Sequence, residues 1–358
     1  MTRKTRQTLW SVSLLAIVLL LVSACGGSGG GGGETPAATQ ADTQATAGNA
    51  SSDPLRIVAT TTQIADLARN VLGERGEVSS ILPLNSDAHD FEPTPQDVER
   101  VADADLILEH GLGLDTWVEG LIKSAGGSAT HVLVTDRVHS HTSLEDEQAH
   151  EDDASPDADG TAHTDDDHDA ANDEDEDGHD HGDVDPHVWF DVTNAKIMVE
   201  NIRDALIAAD EAGRATYEAN ASAYIAELDA LDAWIREQVA TIPEDQRKMV
   251  TNHEAFGYFI EAYGFDFVGA VIPSLDSQAQ PTARETAELM DKMEHEQVRV
   301  IFAEAAINPD LATQLAEELG IDIVDDLYGD SLGSKDSGAD TYIGMMRSNT
   351  EKIVAALR

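Results

Sequence analysis

Cysteine occurs once in the 358 residues, at Cys25. A single thiol forms no intrachain disulfide and excludes a metal site built on several thiolates. Any metal held tightly here must sit on imidazole and carboxylate. Basic residues are also scarce: 22 Lys and Arg stand against 69 Asp and Glu, a formal charge of −47. Phosphate contacts need Lys and Arg, so this balance excludes a nucleic-acid binder of the ordinary electrostatic kind. It suits an extracytoplasmic protein with a cationic ligand. The His-Glu-x-x-His motif of zinc proteases is absent. The apolar run at residues 9–22 has 14 residues and includes Ser11 and Ser13, short of the roughly 20 a membrane-spanning helix needs.

That short run, preceded by Arg3, Lys4 and Arg6, has the form of an export signal. It leads into Val22-Ser23-Ala24-Cys25, which resembles a bacterial lipobox. Residues 1–24 are therefore expected to be a lipoprotein signal, with Cys25 the lipidated first residue of the mature chain. Residues 25–53, rich in Gly, Ala and Thr, read as a flexible tether reaching on the order of 30 Å. The expected location is extracytoplasmic: anchored at the outer face of the cytoplasmic membrane, or periplasmic.

Apolar runs at 55–60, 78–82, 106–108 and 131–134 alternate with helical patterns, the mark of parallel βαβ units. Thr94, Pro95 and Asp97 make a helix start, with a hydroxyl cap, proline at the first position and a carboxylate three residues after the cap. Residues 193–209 and 214–239 read as helices, the second long enough, near 40 Å, to connect two lobes. A second βα series follows, with strands at 249–251, 267–272, 298–303 and 321–324. Its helices include one opened by the Thr282/Glu285 capping box and one at 340–357. The fold class expected is α/β: two lobes, each with a parallel-rich sheet flanked by helices. The N-terminal lobe spans 54–211, a connector helix 212–241 and the C-terminal lobe 242–358. Ligands of such sheets bind beyond the carboxyl ends of the strands.

Residues 138–184 contain no Lys or Arg but seven His and 19 Asp or Glu. Without apolar side chains to offset chain entropy, 139–183 is expected to be a disordered loop. Its histidines, His139, His141, His150, His163, His168, His179 and His181, are candidates for weak, auxiliary metal binding. Immediately after it comes Asp185-Pro186-His187-Val188-Trp189-Phe190, where an apolar run marks the return to packed structure. His187, His89 (after the 78–82 strand), His253 (after the 249–251 strand) and Asp330 (after the 321–324 strand) each fall where a sheet presents ligands. Three imidazoles and a carboxylate satisfy a tetrahedral zinc ion. Glu92, Glu254, Glu304 and Asp325 are rival carboxylates. His110, His131 and His295 read as scattered histidines without a role, and Trp189, Phe91 and Phe256 as core or cleft wall.

The stretches His89-Asp90-Phe91-Glu92-Pro93-Thr94-Pro95, Asp185-Pro186-His187-Val188-Trp189, His253-Glu254-Ala255-Phe256-Gly257-Tyr258 and Tyr328-Gly329-Asp330-Ser331-Leu332-Gly333 carry a resemblance. In order and spacing, residues 55–357 resemble the solute-binding proteins of ABC transporters for zinc and manganese, the cluster A-I family. The resemblance implies that His89, His187, His253 and Asp330 are the metal ligands, in the cleft between the two lobes. It implies as partners a permease with its ATPase, and a monomeric, non-enzymatic protein that delivers its ion. Two departures stand out: Ala88 replaces the proline usual before the first histidine, and the cysteine pair of some zinc members is missing. Manganese members usually offer a carboxylate at the third position. His253, together with the acidic His-rich loop, points to Zn2+ ahead of Mn2+. The rival functions are a surface adhesin or metal buffer, and a secreted zinc hydrolase, which would need an open coordination position.

Overall fold

A computed structural model describes residues 54–144 and 184–358. The expected signal, Cys25, the tether, and the stretch 145–183 with His150, His163, His168, His179 and His181 lie outside the described residues.

The first lobe is built on β1 (Leu55–Ala59), β2 (Gly76–Ser80), β3 (Leu106–Glu109) and β4 (Thr130–Leu133). The second is built on β5 (Lys248–Thr251), β6 (Asp266–Ala270), β7 (Val300–Glu304) and β8 (Asp322–Leu327). Every pairing is parallel, in the orders β2-β1-β3-β4 and β6-β5-β7-β8. The same winding thus occurs twice. In each sheet the chain reverses its direction of winding on either side of the first strand, between β1 and β3 and between β5 and β7. Such a reversal leaves a crevice at the carboxyl ends of the two strands.

The helices are α1 (Thr62–Leu72), α2 (Pro95–Ala102), α3 (Val118–Ala125), α4 (Val192–Ala209), α5 (Arg214–Val239), α6 (Gly257–Tyr263), α7 (Ala283–His295), α8 (Asp310–Leu319) and α9 (Tyr342–Leu357). Among the described residues none is long and apolar enough to cross a membrane. Starts follow the sequence chemistry. Thr94 donates its amide to Asp97 Oδ2 at 2.6 Å, with Pro95 beginning α2. Thr282 and Glu285 bond reciprocally at the head of α7, at 2.6 and 3.2 Å.

The 26-residue α5 is about 39 Å long. Its stripe of Tyr217, Ala221, Tyr224, Leu228, Leu231 and Ile235 is buried. Asn220 donates to the Val71 carbonyl of α1 at 3.0 Å, and Arg236 to the Ala262 carbonyl of α6 at 2.8 Å, so one helix is fastened to both lobes. A single apolar core runs from Ile57 and Leu106 of the first sheet through α4 and α5 to Phe302 and Leu327 of the second. Smaller cores cover the outer faces: Val58, Ile81, Ile107 and Leu121 in one lobe, Val250, Ile301, Leu315 and Met293 in the other.

The helix after β5 begins at Gly257, because residues 252–255 form the turn that carries His253. The connector helix spans Arg214–Val239, as read from the sequence, and Pro243 opens a separate short turn. The loop expected to be loose from 139 is packed through 144. His139 exchanges two bonds with the Asn194 side chain, at 2.8 and 2.9 Å, and Thr142 pairs with Val184 as an antiparallel bridge. The His141 ring lies 3.9 Å from that of Tyr258. The two ends of the acidic stretch are therefore closed upon each other and seated on Asn194 of the first lobe and Tyr258 of the second.

Candidate metal centre

The loop after β2 delivers His89. Asp87 Oδ1 accepts the His89 amide at 2.8 Å, an Asx-type turn that fixes the loop, and the His89 side chain is 9% exposed. Asp185 does the same for His187: its Oδ1 accepts the His187 amide at 2.8 Å and lies 2.7 Å from His187 Nδ1. The short turn Val188–Phe190 then buries Val188, Trp189 and Phe190 completely, anchoring the ligand from below. His253 follows β5 and is fully buried, with Nδ1 2.7 Å from Glu304 Oε1 at the end of β7. Asp330 follows β8 and is held by the opposite lobe. The Ala88 amide donates to Asp330 Oδ2 at 3.3 Å, Gln63 Nε2 to the Gly329 carbonyl at 3.0 Å, and the Leu332 amide to Thr62 Oγ1 at 2.8 Å.

These loops bring His89, His187, His253 and Asp330 together, with one ligand atom from each all within 4.8 Å of one another. His89 Nε2 lies 3.5 Å from His187 Nε2 and 3.7 Å from Asp330 Oδ2, and His187 Nε2 lies 3.4 Å from Asp330 Oδ1. Among the described residues, His253 Nε2 and Asp330 Oδ1 have no hydrogen-bond partner. Buried polar atoms normally have partners, so their convergence marks a place for a cation.

The electrostatics agree. Burial alone would raise Asp330, but contact with His187 and the fields of His89 and His253 hold it far below the usual carboxylate range. Burial opposes charge on His187 too, yet Asp185 and Asp330 push it up to about 10. His89 is lowered, chiefly by burial and by its neighbours His187 and His253. Glu304 is raised by burial, and His253 is raised by Glu304 and Asp330 against its own burial. Both shifts favour a proton held between Glu304 and His253 Nδ1, which leaves Nε2 facing the other ligands.

The sequence profile of the zinc-uptake complex component A family, described as periplasmic, matches residues 57–356. The chain belongs to that family. It is 34% identical over 303 residues to the manganese-binding lipoprotein MntA of Halalkalibacterium halodurans, covering 85% of this chain and 88% of the relative. It is 31% identical over 314 residues to the iron-binding protein YfeA of Yersinia pestis, covering 87% and 90%. The solved periplasmic zinc-binding protein TroA of Treponema pallidum superposes with a TM-score of 0.70 at 27% identity, over 85% of this chain and 99% of that one. The chain is thus a metal-binding, substrate-binding component of an ABC transporter, with the two-lobe α/β fold of that family. The family is one of solute-binding transport proteins rather than enzymes. Its members carry the names of different metals.

Of the rival carboxylates, Glu304 alone reaches the cluster, and from behind His253 rather than in place of Asp330. His131 pairs with Glu109 at the surface and His295 is exposed. His110, read as scattered, is instead fully buried beside the site. Its Nε2 lies 2.7 Å from the Pro186 carbonyl and its ring 5.2 Å edge-on from Trp189, so it props the turn that carries His187. Asp185 was overlooked as a support. The Asp-Pro-His spacing held that signal, since an Asp two residues before a ligand can close an Asx turn on it. The departure at Ala88 also has a consequence: its amide bonds Asp330, and proline has no amide hydrogen to give.

Proposed function

We propose that this chain captures Zn2+ outside the cytoplasm on His89, His187, His253 and Asp330 and delivers it to an ABC permease with its ATPase. The observation that carries this reading is the buried cluster of three imidazole nitrogens and one carboxylate. Zinc bonds of about 2.0–2.1 Å place tetrahedral ligand atoms about 3.3–3.4 Å apart. Among His89, His187 and Asp330 the separations of 3.4, 3.5 and 3.7 Å need only a slight contraction to meet that figure. A donor set of three imidazoles to one carboxylate favours zinc, whereas manganese favours carboxylate, carbonyl and water. In this reading the protein acts as a monomer, is held at the membrane by a lipid on Cys25, and uses its acidic stretch as a weak collector of the same ion.

The test is competition for the folded protein between zinc and manganese, read by isothermal titration against a chelator of known affinity. Zinc binding at one site, tighter than manganese by several orders of magnitude, is the expected result. A second reading, manganese as the ion carried, is favoured by the match to MntA. It wins if manganese displaces zinc at equal concentration.

A further inference from the structure

We propose that Glu304 is a positioning and selectivity residue for the metal site, a buried carboxylate that holds His253 with Nε2 toward the ion. The inference rests on the metal-capture reading above and names a residue outside its ligand set.

Glu304 ends β7, next to β5 in the sheet, and His253 lies two residues beyond the end of β5. The two therefore sit on either side of the place where the second sheet reverses its winding. The Asn252 amide donates to the Phe302 carbonyl at 2.9 Å, which fixes the two strand ends against each other. Glu304 is 1% exposed, and its Oε1 lies 2.7 Å from His253 Nδ1. Among the described residues no Lys or Arg pairs with it, and Oε2 has no hydrogen-bond partner. A buried carboxylate with so little compensation is costly. Its one ionic contact is with a metal ligand.

Oε2 also occupies a slot against the backbone immediately before Asp330: a Cβ built on Gly329 would lie 1.5 Å from it. Gly329 is not in the left-handed region, so glycine here is required by the carboxylate, not by the turn. Glu304 thus touches the loop of the fourth ligand with one oxygen and the third ligand with the other. A carboxylate behind a ligating imidazole fixes its tautomer and makes the coordinating nitrogen a stronger donor, and its loss typically costs 10- to 100-fold in metal affinity. An ion that depends on imidazole gains more from this than one that prefers oxygen and water. The gain therefore falls on zinc more than on manganese.

Glu304→Gln keeps an acceptor in place without the charge, and Glu304→Ala removes both. Zinc affinity should fall about tenfold in the first and about 100-fold in the second. Manganese affinity should change by much less, so that the zinc-to-manganese ratio drops about tenfold or more. The melting temperature of the ion-free protein, which a merely structural role would lower, should hold or rise in Glu304→Gln. Gly329→Ala gives an independent arm, since it leaves the charge and crowds the carboxylate out of its slot; it should shift the ratio in the same direction. Glu304→Asp, shorter but charged, should recover part of the loss. A ratio equal to the parent's in both Glu304→Ala and Gly329→Ala overturns the inference, as does an equal loss for both metals. A parent that prefers manganese would defeat the zinc reading instead, while the change in ratio on removing Glu304 would still be measured.

Discussion

Asp87 accepts the hydroxyl of Ser277 at 2.6 Å, across 190 residues of chain and from one lobe to the other. The same oxygen accepts Gln278 Nε2 at 3.2 Å, and the other oxygen caps His89. The loop of the first ligand is therefore tied to the far wall of the cleft. Ser277→Ala should loosen that tie without touching a ligand. A hydrogen bond to a charged group contributes about 1.5–3 kcal/mol, so the rate of zinc release to a chelator in stopped-flow should rise roughly tenfold or more. An unchanged rate would mean that this bond does not restrain the ion.

The ligand assignment predicts a sharp contrast between histidines. His187→Ala and His253→Ala should each weaken zinc binding beyond the roughly 10- to 100-fold typical of supporting residues. His295→Ala, at an exposed side chain, should match the parent. His110→Ala should fall between them, because it removes the prop under the Pro186 carbonyl. The His187, His253 and His110 variants should also lose part of the zinc-induced rise in melting temperature, since an ion bound only by the native state stabilises it; His295→Ala should keep it. Parent-like binding by His187→Ala would remove it from the site.

Binding should release a proton. Burial works against a charge on His187, but Asp185 and Asp330 raise it to about 10, against about 6.5 for an ordinary histidine. The raised value means the ion-free protein gains stability from this proton below about pH 6.5 and loses it as pH rises through about 10. An incoming ion must displace the proton facing Asp330. Titration calorimetry near pH 7.5 in buffers of different ionisation enthalpy should therefore report about one proton released per zinc, and affinity should increase with pH. Zero release would show that His187 is already neutral in the ion-free protein.

The acidic stretch should be separable from the tight site. Because residues 139–144 are packed against Asn194 and Tyr258, the informative deletion is 145–183, joined by a short linker across the Thr142–Val184 bridge. It should preserve one tight equivalent of zinc and remove only weaker ones, measured by equilibrium dialysis. Loss of the tight equivalent would place a primary ligand within the deleted stretch.

Much of this was legible in the chain. Alternation of apolar runs and helical patterns gave eight strands in two parallel sets, and the capping residues Thr94 and Thr282 located two helix starts. Of the four candidate ligands, His89, His253 and Asp330 were visible as polar residues on loops after strands, and His187 where the acidic stretch meets an apolar run. The supports were harder to see, for a physical reason: support is a pairwise relation across the fold. Glu304 and His253 are neighbours only because β5 and β7 pair, and His110 meets Pro186 only through the folding of the first lobe. Strand ends moved by one to three residues because backbone pairing, as at Asp322–Leu327, extends past the apolar run that announces it.

The continuous core beneath the two sheets bears on how the cargo leaves. Swinging the lobes apart about a hinge would expose Tyr217, Leu228 and Ile235 of α5 together with the apolar layers they join. At roughly 25 cal/mol per Å2 of apolar surface, this is an expensive route. Unlacing the Asp87–Ser277 and Ala88–Asp330 bonds, by contrast, breaks two hydrogen bonds of one loop and leaves the α5 core closed. A transporter that seized the loop after β2 would therefore prise out a single ligand and let the remaining three shed the ion, much as a ring is freed by lifting one prong of its setting. Loaded and emptied forms should then have nearly the same radius of gyration, and their hydrogen exchange should differ mainly over residues 83–90 and 328–333.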